Sequence, residues 1–392
     1  MQLKTRSSLR DFILKPGNIL IVYTLFALIA SIQLILVGPH VFDGRSYTDY
    51  NNYVIFRQSF FHLIDGKNIY MLYPAEQWDL YKYSPTFALV MGLLAHLPDV
   101  VGLSLWNLLN ALALFGAISM LPFKMDKRGL LLWYVLLELL TSMQNAQSNG
   151  LMAGLLIAAY GCMERGKIQW ATLWIVIATF IKVYGGIGFC LFLFYPGKTK
   201  FVGYSALWMV LFAVMPLVVT PFHVLIWQYH NWMAMMSADQ SASYGLSVMG
   251  WLHNWFGISS GKSVVSLIGI LLFLTPLSRW KLYNNATYKL LMLAFMLIWV
   301  IIFNHKAESP TYIIAVAGAG IWFFSTPVTL WHRILLLVVF IFTCLSPTDI
   351  FPPYLRQHFF IPYTIKAIPC ILLWCVIFIE LMRLKSEPAT PI

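Results

Sequence analysis

Long runs of apolar side chains, almost unbroken by charge, decide what this chain can become. Residues 19–37 form one such run; 130–140, 207–219, 264–274, 290–303 and 334–344 form others. They come as blocks rather than at amphipathic spacing. Inside lipid no water bonds the backbone, so blocks of this kind read as spanning helices whose hydrogen bonds close within the segment. Composition agrees. Of 392 residues, 60% are hydrophobic and 10% charged, where a soluble domain carries about a quarter charged residues. Strand-length alternation is not seen, and a barrel is not expected. Several blocks fall short of the ~20 residues that cross a bilayer, so their ends must draw on polar or aromatic flanks. The expectation is an all-α polytopic membrane protein, a single domain over 1–392 with no linker, low-complexity stretch or internal repeat.

The five cysteines, Cys162, Cys190, Cys344, Cys370 and Cys375, lie in apolar runs, with no C-x-x-C pair and no His-Cys cluster, so neither a disulfide framework nor a zinc site is expected. Gly38-Pro39-His40 follows the first block in place of a small-x-small cleavage site, so that block is expected to remain as a signal anchor. Lysines and arginines set the orientation, because short basic loops stay in the cytoplasm. Lys4, Arg6, Arg10 and Lys15 put the N-terminus inside, and the polar, aromatic stretch 46–78, "SYTDYNNYVIFRQSFFHLIDGKNIYMLYPAEQW", outside. The basic turns at 124–128, 165–167, 198–200, 279–281 and 383–385 can all be cytoplasmic if the block 85–97, "PTFALVMGLLAHL", lies at the outer surface instead of crossing. About twelve spans result, with both termini inside and outer segments 39–100, 221–262 and 347–362. Short outer turns, 143–150 and 303–311, complete that side. The expected location is a bacterial cytoplasmic (inner) membrane, and no nucleic-acid partner is expected.

Most acidic residues outside the basic turns fall in these outer pieces. Asp49, among Tyr47, Tyr50, Asn51, Asn52 and Tyr53, has the position of a general base for a hydroxyl group. It also has the position of an N-cap for a helix over 50–64, and the two readings are compatible. Asp65-Gly66 reads as the end of that helix. Lys82 in "YKYSP" suits a phosphate or the lipid head groups. Gln144, Asn145, Gln147 and Asn149 crowd one outer turn, where amides serve either solvation or sugar hydroxyls. Lys182, between two apolar runs and before Gly185 and Gly186, must either snorkel outward or meet an anion. "FNHKAESPTY" gathers His305, Lys306 and Glu308; its H-x-x-E spacing alone is a weak metal signal, and no metal is expected. The segment 221–262 adds His223, His230, Asp239 and His253 among tryptophans and tyrosines that suit an interfacial belt or stacking on sugars.

In this order and spacing the pieces resemble the GT-C superfamily, and within it glycosyltransferase family 87, the polyprenyl-phosphate-mannose-dependent mannosyltransferases. "TDYNNYVIFRQSFFHLIDGKNIY" resembles the family's Asp-aromatic segment; "YKYSPTFALV" its Tyr-x-Tyr-Pro-Pro block, with Ser84 for the first Pro; "QNAQSNGLMAGLL" its Gly-Gln-x-Asn turn, with Ala146 where Gly is usual. "IATFIKVYG" is similar to its Lys-Pro segment, with Val183 for Pro, and "ESPTYIIA" to its Ser-Pro loop.

The resemblance implies a GT-C-like helix bundle whose first outer loop bears juxtamembrane helices and the catalytic aspartate, Asp49. It implies an inverting transfer of a sugar, mannose by this likeness, from a polyprenyl phosphate to a hydroxyl of a glycolipid or glycan acceptor. Such a chain would serve cell-envelope glycan synthesis. The leaving phosphate needs no general acid, unlike a glycosidase with its paired carboxylates. A cation would steady it, with Lys182, Lys306, His305 and Lys82 the candidates in that order. Glu308, Gln144, Gln147, Asn149, Tyr83 and His253 are the expected contacts for sugar and acceptor. No cofactor or metal is implied beyond the lipid-linked donor. The rival class is a transporter or flippase of lipid-linked sugars, which asks for ionisable groups at mid-membrane; Glu138 is the main residue of that kind and Glu380 sits near an inner end. A non-catalytic assembly factor is a third reading.

Overall fold

The computed structural model describes residues 9–238, 243–259 and 261–385. Lys4, Arg6 and Asp239, used above, lie outside the described residues. The first long helix, α1 (Pro16–Leu36), begins at a proline, whose missing N–H is one a helix start does not use. Two short strands follow, β1 (Pro39–Phe42) and β2 (Arg45–Thr48), paired antiparallel with Pro39 opposite Thr48 and Phe42 opposite Arg45. Their turn, Asp43-Gly44, has φ of 49° and 73°, the doubly positive geometry that matches the twist of paired strands. This hairpin corrects the expectation of helix and loop alone. Then come α2 (Asn51–Ile64), α3 (Pro85–Ala95) and α4 (Asp99–Ser119). Tyr50 precedes the first turn of α2 and no side chain caps it, so the capping reading of Asp49 does not hold. Gly66, at φ 66°, turns the chain away after α2.

The remainder is helical: α5 (Met125–Met143), α6 (Asn149–Glu164), α7 (Ile168–Ile181), a 3₁₀ run Val183–Phe194, α8 (Lys198–Val214), α9 (Phe222–Ala238), α10 (Val248–Phe256) and α11 (Lys262–Leu277). After them stand α12 (Ala286–Ile302), a 3₁₀ turn Ser309–Tyr312, α13 (Ile313–Ser325), α14 (Leu330–Val339) with a π-helical extension Phe340–Leu345, and α15 (Ile368–Arg383). Three helical stretches, Pro16–Leu36, Asp99–Ser119 and Lys198–Val218, are long and apolar enough to cross a membrane; most other apolar helices are shorter. The α12–α13 pair and α6 form the buried centre, and α4 lies against both α1 and α6. Small residues allow that last approach. A Cβ at Gly154 would come within 2.7 Å of the Ala113 carbonyl carbon.

The 16 residues of α6 span about 24 Å and separate two unlike ends. Where α6 finishes, the basic turns converge. Arg10 lies 3.5 Å from Asp126, Lys127 donates to the Phe324 carbonyl, Arg165 to that of Met120 and Arg279 to that of Leu381. Lys289 pairs with Glu164 itself. These contacts fix which turns share an end. Where α6 starts, Asn52, Asn145, Gln147, Lys182 and Glu308 gather.

Candidate active site

The hairpin leads straight into Asp49, and the segment after it is tied down at several points. Arg57 pairs with Asp99, and the Tyr50 hydroxyl donates to the same carboxylate at 3.0 Å, binding α2 to the start of α4. Tyr47 donates to the Pro74 carbonyl at 2.7 Å, and the Trp78 N–H to Asn51 Oδ1 at 3.3 Å. His62 stacks on Tyr73 with centroids 3.8 Å apart; burial pulls its imidazole below the ordinary range, against the opposing pull of Glu76. Asn52 donates to the Asn145 carbonyl at 2.9 Å, and this bond joins the Asp49 segment to the amide-rich turn. Asp49 is half-buried, and among the described residues its carboxylate has no hydrogen-bond or ion-pair partner.

That turn holds the central feature. Lys182 Nζ donates to Asn149 Oδ1 at 2.7 Å, Asn149 Nδ2 to Gln147 Oε1 at 2.6 Å, and Gln147 Nε2 to Glu308 Oε2 at 2.8 Å. A lysine only donates and a carboxylate only accepts, so both amides are forced to point their oxygens toward the cation and their NH₂ groups toward the anion. The result is a polarised chain with a positive end at Lys182 and a negative end at Glu308. It joins three segments far apart in sequence: the turn before α6, the end of α7 and the loop before α13. Tyr83 lies against the positive end, its ring centroid 5.8 Å from Lys182 Nζ. Burial, with the Glu308 charge adding to it, pushes the Tyr83 phenol far up, so it stays neutral and is no base.

The departures from the family pattern have local causes here. Ser84 accepts the Phe87 N–H as the cap of α3 and donates to the Phe180 carbonyl at 2.5 Å, so it fastens α3 to α7. Lys182 is extended (φ −136°, ψ 124°), the backbone a following proline would impose, although Val183 follows. Ala146 sits at φ 49°, where glycine is favoured, and its carbonyl is held by the Trp106 indole N–H at 2.9 Å.

The other candidates lie around this chain rather than in it. Gln144 is bonded to Gln33 at 2.8 Å and stands off the polarised chain. Lys82 is exposed and paired with Asp79 at 3.0 Å. His305 packs its carbonyl beneath Gly245, where a Cβ would come within 2.5 Å, and the Lys306 N–H is bonded by Asn304 Oδ1 at 3.0 Å. His253 stacks on Tyr244 with centroids 4.3 Å apart. Glu308 also borders a cavity of about 510 Å³, whose lining includes Thr364 and Lys366. Lys366 is a residue the sequence reading missed, although a lone lysine in "YTIKAI" was a signal of the same kind as Lys182. Its ammonium meets Glu138 at 2.7 Å, so the ionisable group that suited a transporter has a buried counter-ion. Among the described residues no three His, Cys, Asp or Glu cluster as a metal site would require.

An accessible carboxylate, a cation held by an amide and a carboxylate bordering a cavity make one end of the bundle suitable for proton removal, anion binding and hydroxyl binding. Residues 81–347 match the model of a family described as glycosyltransferase family 87. No curated protein matches the chain.

Proposed function

The chain belongs to glycosyltransferase family 87, and on that premise we propose that it moves a sugar, mannose in the first instance, from a polyprenyl phosphate to a hydroxyl of a glycolipid or glycan acceptor. The bundle is read as about twelve spans in a bacterial inner membrane, with both termini cytoplasmic and the polarised end outside. Asp49 takes the proton of the acceptor hydroxyl. The hydroxyl oxygen then bonds to the anomeric carbon from the face opposite the phosphate, the carbon–oxygen bond to phosphate breaks, and polyprenyl phosphate leaves with the electron pair. The configuration inverts. Lys182 steadies the negative charge on the departing phosphate, with Lys306, His305 and Lys82 more distant candidates for the same task. Gln147 and Asn149 hold Lys182 in place through the amide chain, and Tyr83 walls it.

The observation that carries this reading is the chain Lys182–Asn149–Gln147–Glu308, which separates a cation from a carboxylate by two oriented amides. A donor phosphate suits one end and an acceptor hydroxyl the other. The test is incubation of the purified protein with radiolabelled polyprenyl-phosphate mannose and a membrane glycolipid extract. Label is expected in the glycolipid fraction. Label transferred from a nucleotide-mannose and not from the lipid-linked form would reject the donor class.

A further inference from the structure

We propose that the cavity beside Glu308 receives the neutral sugar portion of the acceptor, an assignment that rests on the transferase reading above. Its walls come from three segments: the stretch leading into α10, the loop 307–309, and the segment between the π-helical end of α14 and α15. The first two are locked together, since Leu246 N–H donates to the Ala307 carbonyl at 2.8 Å and the Tyr312 hydroxyl to the Leu246 carbonyl at 2.7 Å. The volume, about 510 Å³, falls in the roughly 300–1,000 Å³ range of small-ligand sites.

Charge selects the occupant. Lys366 and Glu308 are the charged lining residues, and Lys366 is cancelled by Glu138 beneath it. Glu308 is therefore the lining carboxylate not matched by a direct ion pair among the described residues, and it suits a donor of hydroxyl hydrogens. One Glu308 oxygen is engaged by Gln147; the other has no partner among the described residues. Apolar surface from Leu246, Phe360 and Ile361 faces the same space, as the C–H face of a sugar ring requires.

Thr364 supplies the independent observation. It lines the cavity at 4% exposure, and its Oγ1 has no hydrogen-bond partner among the described residues. Its φ is 50°, a left-handed backbone that a β-branched residue adopts only when its surroundings hold it there. Strain of this kind concentrates at ligand clamps. A glycine would relieve that strain, yet a threonine whose hydroxyl is buried without a partner among the described residues stands there. Ser309, next to Glu308 in sequence, also lines the cavity, and its Oγ is likewise buried without a partner among the described residues.

The experiment is saturation-transfer NMR on the full chain in nanodiscs with methyl glycosides of mannose, glucose and galactose, and phosphorus-31 line broadening of inorganic phosphate in the same samples. At least one glycoside should bind wild type. Thr364→Val, which removes only the hydroxyl, and Ser346→Leu, which narrows the cavity, should each weaken it at least fivefold and leave phosphate binding intact. Thr364→Gly should weaken the glycoside while raising Tm, which a purely structural threonine would not do. Lys182→Ala should lose phosphate and keep the glycoside. Glycoside titrations of Thr364→Val and Ser346→Leu that superimpose on wild type would overturn the assignment, as would no glycoside binding at all or loss of phosphate in Ser346→Leu. Transfer from the labelled donor is scored separately. Glycoside binding without transfer would reject the enzymatic reading, and with it the acceptor role of a cavity that still binds sugar; transfer with an unaltered acceptor KM in Thr364→Val would reject the cavity assignment alone.

Discussion

Asp49 and Glu308 both stand at the polarised end of the bundle, and their surroundings separate their roles. Glu308 is committed on one side to Gln147, at the end of a chain that begins at a cation. Asp49 has no such engagement among the described residues, and the structure removes its alternative task, because no side chain caps α2. Asp49→Asn keeps the shape and loses the ability to take a proton. Turnover should fall by a factor on the order of 10² or more with Tm unchanged, since general-base catalysis is worth about that much. Turnover and Tm measured on one preparation decide it; normal turnover in a well-folded Asn variant would pass the role to Glu308. Asp49, Lys182 and Glu308 were legible in the sequence because isolated charges beside apolar runs require a reason. Their connections were not. Gln147 and Asn149 read as sugar contacts, and only the folded geometry turns them into links between Lys182 and Glu308. Thr364 was illegible for a different reason, since neither an unpartnered hydroxyl nor a left-handed φ leaves a trace in residue type.

Among the elements, the long apolar helices followed directly from hydropathy, and Asp65-Gly66 marked the end of α2 as glycine at a helix terminus does. The β1–β2 hairpin was signalled by Asp43-Gly44, yet the strands are so short and so close to α1 that alternation had no length in which to appear. The 3₁₀ run after Lys182 is as apolar as the helix before it, and Gly185, Gly186 and Gly188 were the one sign that the α-helix would not continue. Buried between α5 and the start of α15 is the pair Glu138–Lys366, with Lys366 Nζ also 5.6 Å from the centroid of the Tyr312 ring. Removing one partner strands a charge in the bundle. Lys366→Met or Glu138→Leu alone should each cost about 3–5 kcal/mol, and the double variant should recover most of it. Thermal denaturation of the two single variants and the double variant reads this out. A double variant as unstable as the sum of the singles would mean that the two groups act independently.

At the scale of the whole molecule the chain is a bundle with two chemically different ends, one at each terminus of α6. Arg10, Lys127, Arg165 and Arg279 mark one end; Asp49, Lys182 and Glu308 mark the other. Hydropathy and charge gave this polarity, whereas the number of crossings rests on helices that are mostly shorter than a bilayer is thick. Orientation decides the chemistry. A sugar carried on a lipid phosphate is needed where cytoplasmic nucleotide sugars do not reach, so the donor proposed here requires the polarised end to face away from the basic turns. The most direct test is labelling of single cysteines in sealed, right-side-out vesicles with a membrane-impermeant thiol reagent, in a background lacking the native cysteines. Exposed positions at the polarised end, Arg45→Cys, Met71→Cys and Val100→Cys, should label in intact vesicles, and Lys124→Cys and Lys200→Cys only after the membrane is opened. Labelling of Lys124→Cys and Lys200→Cys in intact vesicles, with the other three protected, would contradict the account.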